Sequence, residues 1–205
     1  MGYNQQMKTE TKNSRLIIFV LVMVAIIVMM TIVIRGSSTS GKYDTFAKAL
    51  VKEGVAFYGA FWCPHCQEQE KWFEASRQKL TAEGLYKECE HADRSRFPIC
   101  DENKIESYPT WTFPKGISIT SAKAPEICSI APNVPGEDPR CTTNWASEYF
   151  RRWVFPSGEI VASDVPPTHT GDVWTFLPSA QLRGEATLQR LSEISGVPLV
   201  EDTQK

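Results

Sequence analysis

Cys63-Pro64-His65-Cys66 places two thiols one helical turn apart, and these are the residues of the chain best suited to chemistry. At the start of a helix such a pair can close a small disulfide ring. The first sulfur then lies beside unpaired N–H groups and the positive end of the helix macrodipole, which favour a thiolate. The thiolate is the attacking species in thiol–disulfide exchange. Cys63 is read as the nucleophile, which attacks a partner disulfide or holds a mixed disulfide. Cys66, one turn further in and more buried, resolves it. Pro64 suits a first helical turn, where no N–H is needed. An imidazolium at His65 would stabilise the Cys63 thiolate further, and a stabilised reduced form makes the disulfide a stronger oxidant. The plainer reading of His65 is an exposed helix residue. Trp62 leads into the motif and completes the candidate site.

Zinc is the rival chemistry for these cysteines, with Cys89 and His91 as further ligands. Against it, Phe61-Trp62 feed the motif from an apolar strand, whereas zinc knuckles present cysteines on tight Gly-containing turns. No metal and no cofactor is expected. Cys89 and Cys100 bracket a short loop, and Cys128 and Cys141 bracket a Pro/Gly-rich stretch. A disulfide across either would act as a brace worth about 2–3 kcal/mol. Sequence alone does not give the connectivity, and a relay passing electrons between cysteine pairs is the alternative. Six cysteines point to an oxidising compartment.

The elements that would position the motif can be read from patterning. Phe46, Leu50 and Val51 have helical spacing within Thr45–Lys52, with Thr45 as a possible cap and Gly54 as the stop. Val55–Phe61 is an apolar run read as a buried strand. Gln67–Leu80 is rich in helix formers, with Trp72, Phe73 and Leu80 on its apolar side. Leu85–Cys89 reads as a strand, Pro98–Asn103 as a helical turn and Pro109–Phe113 as another strand. Trp153–Phe155 and Glu159–Val161 flank a Pro-Ser-Gly turn and read as a hairpin. Leu188, Leu191 and Ile194 mark a terminal amphipathic helix within Glu185–Ser195, stopped by Gly196. Trp111-Thr112-Phe113, Trp153-Val154-Phe155 and Trp174-Thr175-Phe176 repeat a Trp-x-Phe pattern, either by chance or because three strands share one kind of face.

Residues 16–34 contain no charge, Pro or Gly. As a helix, roughly 19 residues at about 1.5 Å each would span about 28 Å, which predicts a single transmembrane helix. A cleaved signal peptide is the competing reading. The expected organisation is a cytoplasmic tail at 1–15, an anchor at 16–35, a tether at 36–44, a domain at 45–200 with an insertion at about 114–180, and a tail at 201–205. Lys8, Lys12 and Arg15 precede the span, and all six cysteines follow it. The domain is therefore placed outside the plasma (inner) membrane, on the periplasmic side, with the bilayer contacted through 16–34. A net charge of −2 with no Lys/Arg run argues against a nucleic-acid partner.

The order of helix, strand, Cys-x-x-Cys, helix, strand, helix, X-Pro strand and terminal helix resembles an α/β thioredoxin-like fold, a central mixed sheet flanked by helices. The residues Phe61-Trp62-Cys63-Pro64-His65-Cys66-Gln67, Glu88-Cys89, Ile99-Cys100, Tyr108-Pro109-Thr110-Trp111 and Gly184-Glu185 resemble the thioredoxin-like domain associated with bacterial vitamin K epoxide reductase homologues. The resemblance covers about Thr45–Phe113 and Gln181–Val197. It implies Cys63 and Cys66 as the redox pair and Cys89–Cys100 as a structural disulfide. It implies a cis-Pro109 facing the pair, with Tyr108 helping to dock substrate backbone. It also implies that electrons from substrate-protein thiols pass to a quinone-linked membrane partner, here a separate protein. The Pro-His dipeptide is the one found in the strongly oxidising DsbA family. Classical thioredoxin has a buried Asp six residues before its first active cysteine, where this chain has Phe57. The competing functions are a reductase or isomerase and a binding scaffold with a static disulfide.

Overall fold

Residues 55–58 carry no charge, and they form a run buried on both faces, as a central strand requires. The computed structural model describes residues 17–30, 41–128 and 150–203. In it, β1 (Ala56–Gly59) lies between a parallel neighbour, β2 (Tyr86–Glu88), and an antiparallel one, β3 (Thr110–Thr112). Beyond β3 the same sheet continues through β10 (Gln181–Arg183), β7 (Ile160–Ser163), β6 (Arg151–Val154) and β5 (Glu126–Ile127). A second, antiparallel sheet has the order β4 (Ile117–Thr120), β9 (Val173–Phe176), β8 (Thr168–Thr170). The molecule is mixed α/β. The stretch expected as an insertion supplies strands to both sheets, and its hairpin, β6–β7, joins the central sheet through β10.

The helices are α2 (Asp44–Lys52), α3 (Pro64–Lys71), α4 (Leu80–Glu83), α5 (Pro98–Glu102) and α6 (Leu188–Ser195). The single helix expected over Gln67–Leu80 is instead three pieces: α3, a 3-10 segment at Glu74–Lys79, and α4. The break has a local cause. Phe73 turns fully into the core, with its ring 6.4 Å from both Phe46 and Trp111, and Glu74 then adopts a left-handed φ of 51°. Such a residue cannot extend a right-handed helix. At α6, Thr187 caps the start by accepting from the Arg190 N–H, and Gly196 ends the helix at φ 70°.

The three Trp-x-Phe segments share one core. Trp111 stacks on Phe57 at 4.7 Å, and Phe155 meets both Trp174 and Phe176, at 6.3 and 6.1 Å, joining the two sheets. Burial of each such ring contributes about 1.5–3 kcal/mol. The ends of the described domain are also tied down. Tyr43, within the expected tether, is buried and its N–H donates to Ser76 Oγ at 2.9 Å. Asp202, in the expected tail, accepts the Thr45 N–H at 2.8 Å and so caps α2 from the far end of the chain.

The expected transmembrane helix is corrected. Chain contacts divide the molecule into Met1–Thr39 and Ser40–Lys205. In the first unit a helix, α1, is described over 17–30. Among the described residues no helix is long and apolar enough to cross a membrane. The described stretch, 17–30, accounts for about 21 Å at about 1.5 Å per residue, against a hydrocarbon layer of about 30 Å.

Candidate functional site

The site begins where β1 runs into α3. Cys63 is the residue before the first helical turn, with extended backbone (φ −75°, ψ 117°), and Pro64 occupies that first turn. The Cys66 N–H therefore points back at Cys63 Sγ, 3.4 Å away. Cys63 Sγ thus accepts one of the unpaired N–H groups at the start of the helix. Both thiols are free, and both are buried. Cys66 is fully enclosed. Burial, and then its hydrogen bond with Cys63, push its thiol far above the usual range. The two cysteines thus differ in setting: Cys63 lies at the helix terminus, 4% exposed, and Cys66 is fully enclosed.

Three distant segments frame the pair. The Tyr108-Pro109 peptide is cis, and the Tyr108 carbonyl lies 3.8 Å from Cys63 Sγ, accepting its thiol proton. Tyr108 is half-buried, which pushes its hydroxyl up to about 12. His65 is exposed, and its Nδ1 pairs with Glu185 Oε1 at 2.7 Å. Gln69, three residues after Cys66, is fully buried and clamps the backbone next to Glu185. Its Nε2 donates to Ala186 O at 3.0 Å, and its Oε1 accepts from Ala186 N–H at 2.8 Å. That clamp fixes Glu185 opposite His65.

Carboxylates from β2 complete the frame. Glu88 Oε1 accepts N–H bonds from Phe61, Cys89 and Glu90, at 3.2, 3.1 and 3.1 Å, and Oε2 accepts the Tyr86 hydroxyl at 2.9 Å. The turn before Cys63 is thereby knotted to β2. Trp62 is held by an indole N–H bond to Glu90 Oε2 at 2.7 Å. Phe57, at the position where a carboxylate was noted as missing, is packed solidly between Trp111 and Tyr86. A carboxylate nevertheless acts on the Cys66 thiol from a later position. Glu70, one turn after Cys66 on α3, is half-buried; burial pushes its carboxyl up, Arg77 opposes this, and Glu88 adds to it.

The remaining cysteines fall away from this chemistry. Cys89 and Cys100 form a disulfide. Cys89 therefore cannot serve as a thiolate ligand, and His91 packs its ring on Phe97, so the zinc set Cys63, Cys66, Cys89 and His91 is not assembled. Cys128 is buried and disulfide-bonded. Cys141, its expected partner, lies outside the described residues. Gln69 and Glu70 escaped the sequence reading entirely, because nothing local marks them as facing the thiols. Glu88 and Glu185 were seen only as parts of a resemblance, with no role attached.

No family model matches the chain. Over 80 residues, 37% of its length, the chain is 38% identical to a thiol-disulfide oxidoreductase, LTO1, of Arabidopsis thaliana. The chain spans about a fifth of the length of that curated relative, 20%.

Proposed function

We propose that this chain oxidises thiols of other proteins through Cys63 and Cys66 and hands the electrons to a separate redox partner. The observation that carries this reading is the asymmetry of the pair, with Cys63 at the start of α3 beside the Tyr108 carbonyl and Cys66 enclosed behind it. A substrate thiolate attacks Cys63 Sγ of the Cys63–Cys66 disulfide. The S–S bond breaks, Cys66 leaves and takes up a proton, and a substrate–Cys63 mixed disulfide forms. A second substrate thiolate then attacks its own sulfur and expels Cys63. The substrate is now oxidised by two electrons and the pair is reduced. Return to the disulfide needs an external oxidant, and the proposed class is a quinone-linked thiol oxidase of the vitamin K epoxide reductase kind. The Cys89–Cys100 disulfide supports work in an oxidising compartment.

The test is capture. A Cys66→Ala variant should accumulate mixed disulfides through Cys63 when mixed with reduced, unfolded thiol proteins and an oxidant, and Cys63→Ala should abolish them. No capture through Cys63 overturns the reading. Direction is tested separately: a reduction potential near about −270 mV, that of thioredoxin, would turn the proposed oxidase into a reductase.

A further inference from the structure

Beside Cys63 lies a surface that the exchange chemistry does not use. Phe61 and Trp62 are 48% and 38% exposed, and they are the two exposed aromatic side chains among the large apolar residues of the described part of Ser40–Lys205. Apolar rings left in water next to a reactive centre mark a place where something docks. One cation crosses them. The Arg94 guanidinium sits 4.2 Å from the Trp62 ring centre and 6.0 Å from that of Phe61. Among the described residues Arg94 has no carboxylate partner. Arg96, two residues on, is fully engaged by Asp101, the Tyr108 hydroxyl and the Ile105 carbonyl.

The chain holds Arg94 in place by several means. The Cys89–Cys100 disulfide closes the base of its loop. Within the loop, Arg94 N–H donates to His91 O at 3.0 Å and His91 N–H to Ser95 O at 2.8 Å. Arg94 itself has a left-handed φ of 68°, an unfavourable backbone for a long side chain, kept by these bonds. Of the acidic groups in and beside this loop, Glu90 accepts the Trp62 indole N–H and Asp93 accepts the Ser95 N–H and hydroxyl. The guanidinium therefore presents unused donors above an apolar platform whose Trp62 immediately precedes the nucleophile.

We infer that this platform is a substrate-docking surface that selects protein segments in which the reactive cysteine is flanked by an acidic and an apolar side chain, the acid meeting Arg94 and the apolar group covering Phe61 and Trp62. The inference rests on the reading of Cys63 as the nucleophile. The disulfide loop then acts as a specificity element as well as a brace.

The test uses the oxidised protein with three reductants: a small uncharged dithiol, and two dithiol peptides identical except for Asp or Lys beside the first cysteine. The Asp peptide should react roughly three- to fivefold faster than the Lys peptide at low salt, with the preference shrinking in high salt. Arg94→Glu should reverse the order while leaving the uncharged dithiol rate unchanged, which also reports that the variant is folded. Trp62→Ala should slow both peptides by more than it slows the dithiol. Equal peptide rates, or a preference that survives Arg94→Glu, overturn the inference. Failure of the uncharged dithiol to reduce the wild-type pair instead overturns the reading of Cys63 beneath it.

Discussion

Gly59→Ala tests how tightly the buried thiol is seated. Gly59 ends β1 directly beneath the pair, paired across to Glu88 of β2. A Cβ there would stand 2.8 Å from Tyr86 Cε2, 3.0 Å from Cys66 Sγ and 3.3 Å from Cys66 Cβ. Ordinary carbon contacts lie at about 3.5–4.0 Å, so both neighbours must move by several tenths of an ångström. Neither moves freely. Tyr86 is fixed at its far end by the 2.9 Å bond to Glu88 and on its flank by Phe57 at 5.1 Å, and Cys66 sits on the first turn of α3. Overpacking of this kind costs about 1–3 kcal/mol. For a domain of this size that corresponds to a fall in melting temperature of roughly 2–12 °C. Displacing Cys66 Sγ also spoils its approach to Cys63, so mixed disulfides with a single-thiol substrate, which only Cys66 can release, should persist longer than in the wild type. Thermal melts of the reduced protein and quenched-flow counting of mixed disulfides read the two effects. A variant that melts with the wild type and resolves at the same rate would refute the packing argument.

Two further outcomes follow from buried charge. Arg183 is buried and its Nη2 meets Glu106 Oε2 at 2.6 Å, so Glu106→Ala strands a guanidinium and should cost about 3–5 kcal/mol by urea titration; Glu106→Leu with Arg183→Met should recover most of it, and a single-variant loss under about 1 kcal/mol would contradict the pairing. Burial raises the Cys66 thiol in the folded state above its unfolded value. The unfolded chain therefore releases that proton first, so stability of the reduced protein is intact below about pH 8.5 and declines as pH rises further. Urea titrations across that window should show the decline in reduced protein and its loss in Cys66→Ala; identical slopes in the two would count against an enclosed thiol.

The parts of the fold that were legible are those whose burial is written in apolar side chains. β1 is apolar throughout, and α6 repeats Leu188, Leu191 and Ile194 on one face. β10 was invisible for the opposite reason. Two of its three residues are Gln181 and Arg183, both buried, the first bonded to Asn103 O at 2.8 Å and the second to Glu106. A polar strand satisfied by partners 77 or 78 positions away leaves no local trace. β4 does alternate, with Ile117 and Ile119 inward and Ser118 and Thr120 outward, but four residues make too short a pattern to stand out. The break after α3 was hidden because helix propensity is summed over a window, while a single inward turn at Phe73 decides the path. A span was expected over 16–34 from apolarity, and the helix described there covers 17–30.

The site shows the same division. Cys63, Pro64 and Cys66 announce themselves because the chemistry depends on their spacing along one turn. The residues that set the properties of that turn come from elsewhere: Glu88 ties down its approach, Gln69 clamps Ala186, and Glu185 thereby reaches His65 across 120 positions. This matters for how the pair works. Attack by Cys66 on a mixed disulfide requires its thiolate, and burial has made that thiolate scarce. On the proposed oxidative reading Cys66 is slow to expel a bound substrate, and a substrate held on Cys63 has time to complete exchange with its own second thiol. Under that reading, enclosure of Cys66 favours completed oxidation over premature release. It is the packing around Gly59, Tyr86 and Glu70, more than the four-residue motif, that supplies this bias.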